Sequence, residues 1–226
     1  INPPSCYGFS DGSIIVNVED ETGDILFDIT DADGVTKNID NSNAANSLTG
    51  GWYYINVSDG TACSGEDSIF LAQPEQIDAD ITYQSPKCYG DALGWVKVNE
   101  VFNATGDLDN ISYIWAPDPS GVGNSDSTYA LGAGEYVLTI NDDNGCSNDF
   151  PFVITEPDSL TFVEFGYTPA YCRLYNYQNG NGTVYGSASG GIADYTYLWT
   201  HIETGETDNR STWGSRNPGT YTLTAT

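Results

Sequence analysis

One pattern is stated three times along this sequence, at a spacing near eighty residues, and that self-similarity limits the chain to an array of small, like modules. Cys6-Tyr7-Gly8 opens the first statement, Cys88-Tyr89-Gly90 the second and Cys172-Arg173-Leu174 the third. Each anchor is followed by a Gly with an apolar residue two positions on, as Gly12/Ile14, Gly94/Val96 and Gly182/Val184. An aromatic comes next (Phe27, Tyr113, Tyr197), then a Gly-x-Tyr motif: Gly51-Trp52-Tyr53, Gly134-Glu135-Tyr136 and Gly219-Thr220-Tyr221. Cys63 and Cys146 each stand twelve residues past the Gly of that motif, and Pro74 and Pro157 eleven residues further. A fixed period of this length gives each repeat one supersecondary unit or small domain. Modules are therefore expected at 1–77, 78–160 and 161–226.

Within each repeat the local signal is β. Ile14, Val16 and Val18, and correspondingly Val96 and Val98, alternate on one face of a period-two strand. Residues 25–29, 111–115 and 195–199 read as a second strand; 52–57, 135–140 and 220–224 read as a later one, rich in aromatic and branched side chains. Asp11-Gly12, Asp33-Gly34, Asp59-Gly60 and Asp143-Asn144-Gly145 supply turns. No long stretch has helical periodicity. Short strands at this spacing predict an all-β chain, a tandem array of immunoglobulin-like β-sandwich modules. The third module is expected to be incomplete, with an open sheet edge.

The five cysteines follow the repeat. Spacing predicts disulfides Cys6–Cys63 and Cys88–Cys146, each inside one module, and each contributing roughly 4 kcal/mol in the chain-entropy model. Free thiols are the alternative. Zinc is disfavoured, since the only histidine is His201 and no Cys-x-x-Cys occurs. The third partner would fall past Thr226, so Cys172 is read as unpaired by truncation.

Composition narrows the function classes. Thirty-two acidic against six basic residues give a net charge of −26, which opposes nucleic-acid binding and attraction to anionic lipid. With 39% hydrophobic and 13% aromatic residues the chain folds despite that charge. It carries no apolar run of membrane-spanning length, so no direct membrane insertion by this segment is expected. His-Glu-x-x-His, Gly-x-Ser-x-Gly and phosphate-loop motifs are all missing, and His201 reads as a loop residue near Glu203 and Glu206. The chain is expected not to be an enzyme and to have no catalytic residues or cofactor. Clustered oxygens at Asp28, Asp31 and Asp33 and at 141–145 are calcium candidates, weighed against solvated turns, which the incomplete loop spacing favours. Among the aromatics, Tyr113, Trp115, Tyr197 and Trp199 recur and are assigned to packing. Trp52, Trp95 and Trp213 do not recur and are the surface candidates for stacking on a sugar. Pro74 and Pro157 should stiffen the junctions.

Taken together, Cys-Tyr-Gly with its Gly-led strand, Tyr197-Leu198-Trp199, Leu131-Gly132-Ala133-Gly134-Glu135-Tyr136, Asn144-Gly145-Cys146 and Ile154-Thr155-Glu156-Pro157 resemble the SprB-type repeats of gliding-motility adhesins in Bacteroidetes. The resemblance spans the chain. It is closest in the second repeat and looser in the first, where Ile29 stands at the position of Trp115 and Trp199. In the third, Arg173-Leu174 replaces Tyr-Gly. It implies a non-enzymatic segment of a giant adhesin, extracellular and associated with the outer-membrane surface. Type IX secretion would export it, and the cell-surface motility machinery and an external surface or polysaccharide would be its partners. It further implies O-glycosylation at Asp-Ser-apolar triplets, which places candidates at Ser68, Ser127 and Ser159. The rival expectation is an accessory spacer or carbohydrate-binding module of a secreted enzyme.

Overall fold

A computed structural model describes residues 1–19, 24–39, 41–59, 63–118, 121, 123–171 and 180–226. Cys172, Arg173, Leu174 and Gly60 lie outside the described residues. Among the described residues, apart from a short 3-10 turn at Leu108–Asn110, every regular element is a strand. The chain gathers into two compact units. One comprises residues 1–82, 97–128 and 136–152, and the other 83–96, 129–135 and 153–226.

The strands of the first repeat are β1 (Gly12–Ile15), β2 (Leu26–Asp31), β3 (Ala44–Leu48), β4 (Gly51–Ser58) and β5 (Ser64–Leu71). Those of the second are β6 (Asp78–Gln84), β7 (Gly94–Phe102), β8 (Ser112–Ala116), β9 (Ser127–Leu131), β10 (Gly134–Asn141) and β11 (Ser147–Ile154). The third contains β12 (Thr161–Thr168), β13 (Gly182–Ser189), β14 (Tyr197–His201), β15 (Thr207–Asp208), β16 (Thr212–Arg216) and β17 (Tyr221–Ala225). Each repeat builds two sheets: β1-β3 with β2-β4-β5, then β6-β7-β9 with β11-β10-β8, then β12-β13-β16 with β15-β14-β17.

In the second repeat these orders are strands A-B-E in one sheet and G-F-C in the other, the immunoglobulin-like strand order without strand D. Two side-chain hallmarks accompany it. The tryptophan of strand C is buried, as Trp115 on β8 and Trp199 on β14, with Ile29 fully buried at the same place in β2. A tyrosine corner closes the start of strand F: Tyr53 Oη donates to the Thr49 carbonyl at 2.9 Å, and Tyr221 Oη to the Asn217 carbonyl at 2.8 Å, each four residues back. The chain is thus an array of immunoglobulin-like β-sandwich modules.

The Gly that leads strand B has a steric reason in every copy. A Cβ on Gly12 would stand 2.8 Å from the Leu48 carbonyl oxygen, one on Gly94 2.7 Å from that of Leu131, and one on Gly182 3.1 Å from that of Arg216. Beside each lies a residue in the left-handed region, Ser47 (φ 58°), Ala130 (φ 62°) and Ser215 (φ 61°). Ser47 and Ser215 are the positions at which the β1–β3 and β13–β16 registers shift by one. They form a β-bulge that brings strand E back against the glycine.

Strand B's alternate residues face inward, as the period-two reading requires, but β1 ends at Ile15 and Val18 lies outside it. The first core holds Ile14, Ile29, Ala45, Leu48, Tyr53 and Leu71, and the third Val184, Trp199 and Trp213 with Tyr221 and Leu223. Trp213 corrects the expectation of a surface tryptophan, being only 4% exposed. It occupies the second position of strand E, where the other repeats carry Ala45 and Thr128. Gly186 stands where they have Val16 and Val98, and the space a Cβ would take there is filled by Leu223 Cδ2.

His201 is corrected from loop to strand, although it does lie near Glu203, with Nε2 3.4 Å from Oε2, and near Glu206, whose carbonyl accepts its N–H at 2.9 Å. It is the last residue of β14 and 6% exposed, with Nδ1 2.6 Å from Thr204 Oγ1 and its ring 4.6 Å from that of Tyr221. Among the described residues no strand pairs with the far edge of β17, where β4 and β10 have β5 and β11.

Candidate functional site at the disulfide junction

The disulfide does not close either module. Cys6 bonds to Cys146, 140 residues away, with Cα atoms 5.3 Å apart, while Cys63 and Cys88 are exposed free thiols. The expected pairs Cys6–Cys63 and Cys88–Cys146 are therefore replaced by one bridge from the first repeat to the second.

Strand geometry explains why. Cys6 belongs to the A–B turn, and Gly8 N–H in that turn donates to Gln73 Oε1, just past Leu71 at the end of β5. Cys63 belongs to the F–G turn at the opposite end of the same hairpin, where Ser58 pairs with Ser64, while Gly51 pairs with Leu71 at the Cys6 end. Eight residues of extended strand separate those ends, about 25 Å, whereas a disulfide needs Cα atoms within about 7 Å. The A–B turn of the first repeat instead meets the F–G turn of the second, which brings Cys6 to Cys146.

Both turns are built in duplicate. In the A–B turn, Phe9 N–H donates to the Cys6 carbonyl at 3.1 Å, and Asp91 N–H to the Cys88 carbonyl at 3.3 Å. Gly90 N–H donates to Glu156 Oε2 at 2.6 Å, as Gly8 does to Gln73. Asp11 pins the first copy by accepting the Ser5 hydroxyl and backbone N–H, and these bonds hold its carboxyl below the ordinary value.

In the F–G turn, Asp142 Oδ1 accepts Cys146 N–H and Asn144 N–H, and Oδ2 accepts the Thr105 N–H and hydroxyl at 2.9 and 2.7 Å. Burial would raise this carboxyl, but those donors outweigh it and hold it below 3.8. Asp59 plays the same part in the first repeat, its Oδ1 accepting Cys63 N–H at 3.3 Å and its N–H donating to the Cys63 carbonyl. The sequence reading placed Asp59 in a turn and Asp142 in the oxygen cluster at 141–145, but missed that each clamps a cysteine. An Asp four residues before each F–G cysteine was the available signal.

The connecting segment after Pro74 is clamped rather than free. Asn103 Nδ2 donates to the Gln76 carbonyl, Gln76 Nε2 to Asn148 Oδ1 and Asn148 Nδ2 to the Ile77 carbonyl, all at 2.8–3.0 Å, and Ile77 is buried. A small recess of about 70 Å³ beside the bridge is lined by Tyr7, Pro74, Asn103 and Asp142. The junction is thus a covalent and hydrogen-bonded staple.

The remaining sequence candidates sit elsewhere. Asp31 is tied to Lys37 at 2.7 Å and accepts the N–H groups of Asp33 and Val35, while Asp28 accepts the Thr36 hydroxyl and Asp33 is exposed. The Lys37 bond, followed by the Val35 N–H, lowers the Asp31 carboxyl. That is a turn held by one aspartate. Among the described residues, no three His, Cys, Asp or Glu side chains are grouped to hold a metal. Ser68 and Ser159 are exposed, and Ser127 is half-buried with its hydroxyl donating to Asp126 at 3.0 Å. Trp52 is 51% exposed and lies 5.4 Å from Phe70, while Trp95 Nε1 donates to Gln84.

No family model matches the sequence, and no curated protein matches it. Among solved structures, the immunoglobulin domains 1–5 of Sidekick-1 align at 10% identity with a TM-score of 0.28. That alignment covers 88% of this chain and 45% of that one, so the chain spans under half its length. The fold assignment rests instead on strand order, the buried strand-C tryptophans and the tyrosine corners. Among the described residues no helix is long and apolar enough to cross a membrane.

Proposed function

We propose that the chain is a non-enzymatic segment of a giant cell-surface adhesin, in which stapled immunoglobulin-like repeats carry tension between a cell and the surface it attaches to. The observation that supports this most is the Cys6–Cys146 bridge. Tension entering near Ile1 crosses from the first repeat to the second through the sulfur–sulfur bond, and the backbone between the two cysteines, β1 to β10, is kept out of the load path. A disulfide also fits an oxidising, extracytoplasmic location. The acidic surface keeps neighbouring modules from collapsing on one another. In line with the resemblance to SprB-type repeats, the array would be exported by type IX secretion, displayed at the outer-membrane surface, moved by the motility machinery and glycosylated at Ser68, Ser127 or Ser159. Multivalent weak contacts would then supply adhesion.

Deleting the encoding region in the native host should impair surface attachment or spreading and leave growth on soluble nutrients unchanged. A purely nutritional defect would favour the second reading, an accessory carbohydrate-binding module of a secreted enzyme. That reading draws on the exposed Trp52–Phe70 pair, a platform on which a sugar ring could stack.

A further inference from the structure

We infer that the bridge is a rule of the array rather than a single event: the A–B cysteine of each repeat bonds the F–G cysteine of the next. Cys88 and Cys63 are then two open halves of the same staple, Cys88 awaiting the F–G cysteine of a following repeat and Cys63 the A–B cysteine of a preceding one. The inference stands on the observed pairing and holds whatever surface the array serves.

Three independent features carry it. Both thiols are exposed and free, so neither is a core residue. Cys88 sits in an A–B turn built like that of Cys6, with the Asp91-to-Cys88 bond matching Phe9-to-Cys6 and the Gly90–Glu156 clamp matching Gly8–Gln73. Cys63 sits in an F–G turn built like that of Cys146, with Asp59 in the place of Asp142. At the one junction where both turn types are present as cysteine pairs, they are bonded. No cysteine in this sequence follows Cys146 at an F–G position, since Cys172, the last of the five, falls at an A–B position. Each new bridge forms by thiol–disulfide exchange: the two protein thiols give up two protons and two electrons to one oxidised glutathione, which leaves as two molecules of reduced glutathione.

The test duplicates the second repeat in place, as residues 1–160 followed by 78–226, with C88S in the added copy, refolded in a glutathione redox buffer. Because β6 and β12 begin at Asp78 and Thr161, every junction keeps its native spacing. Tryptic mapping without reduction should show Cys6 bonded to the first Cys146, whose peptide ends at Lys87 of the added copy, and the remaining Cys88 bonded to the second, whose peptide ends at Arg173, and alkylation of Cys88 should be lost; Cys88 bonded to the first Cys146 overturns the rule. Alkylatable Cys88 in a protease-resistant product overturns the rule. Should the inserted repeat fail to fold, a copy of residues 1–82 placed before Ile1 tests the other half: a bond from the added Cys6 to the original Cys63 supports the rule, and an alkylatable Cys63 overturns it. In the 226-residue chain itself, recovery of a Cys6–Cys63 or Cys88–Cys146 bond would defeat it outright.

Discussion

Asp142 and Cys146 exchange two hydrogen bonds across the F–G turn: Cys146 N–H donates to Asp142 Oδ1 at 2.9 Å and Asp142 N–H to the Cys146 carbonyl at 2.9 Å. One carboxylate thereby fixes both the turn and the direction in which the thiol points. Asp142 is 7% exposed and Cys146 6%, so removing the carboxylate leaves the Cys146 N–H without an acceptor in a buried place. Asp142→Ala should cost roughly 2–3 kcal/mol in urea unfolding at neutral pH. The folded pKa lies below 3.8, so the contribution is fully present above the unfolded value and is lost as pH falls through the lower folded value. The gap between parent and variant should close in strong acid; a gap that stays constant with pH would show that charge plays no part.

Reduction should release the staple without melting the first sandwich, because Cys6, although buried, does not belong to the core cluster of Ile14, Ile29, Ala45, Leu48, Tyr53 and Leu71. With dithiothreitol present, amide exchange at Gln76 and Ile77 is expected to speed up, while the amides of Ile29 and Tyr53, within the β2-β4-β5 sheet, keep their protection. Exchange rising everywhere at once would mean that the first module depends on the bridge for its fold.

The period, the strand positions and the glycines were legible because each answers to a local requirement: alternation for strands, absent Cβ atoms where Gly12, Gly94 and Gly182 meet a carbonyl. Disulfide partners were not. Equal spacing within a repeat does not say at which end of a sandwich a turn lies, and Cys6 and Cys63 are separated by the length of β4. Trp213 was misplaced for a related reason, since its counterparts Ala45 and Thr128 are small, and burial of a ring at that strand-E position, against Tyr221, is a property of packing rather than of pattern.

Gly94→Ala should destabilise the chain by roughly 2–3 kcal/mol, because the added methyl meets two backbone oxygens, Leu131 at 2.7 Å and Gln84 at 3.0 Å, that cannot rotate away. Gly65→Ala, where no atom lies within 4 Å, is the matched control and should be nearly silent in the same denaturation measurement.

Ala130 offers a change in the opposite direction. It is exposed and holds φ at 62°, at the strand-E position that Ser47 and Ser215 occupy in the other repeats. An L-residue there gives up roughly 1–2 kcal/mol of backbone energy that glycine does not, while glycine loses roughly 0.4–1 kcal/mol more entropy on folding. Ala130→Gly should therefore stabilise the protein by about 0.5–1 kcal/mol in thermal or urea unfolding. A loss of stability would show that backbone strain is already relieved by the surrounding sheet.

Single-molecule stretching from the two termini addresses the mechanical role directly. In the oxidised chain, force passes from Cys6 to Cys146, and the intervening backbone cannot lengthen however many of its strands unfold. Reduction returns that backbone to the load path. With 140 residues between the two cysteines and at most about 3.6 Å per extended residue, full extension should lengthen by roughly 500 Å on adding reductant. Cys6→Ser should reach the longer extension without reductant, and Cys63→Ser should leave the short one unchanged. An intramodule Cys6–Cys63 bridge would reverse the second outcome and give a gain less than half as large, because only 57 residues separate those two cysteines.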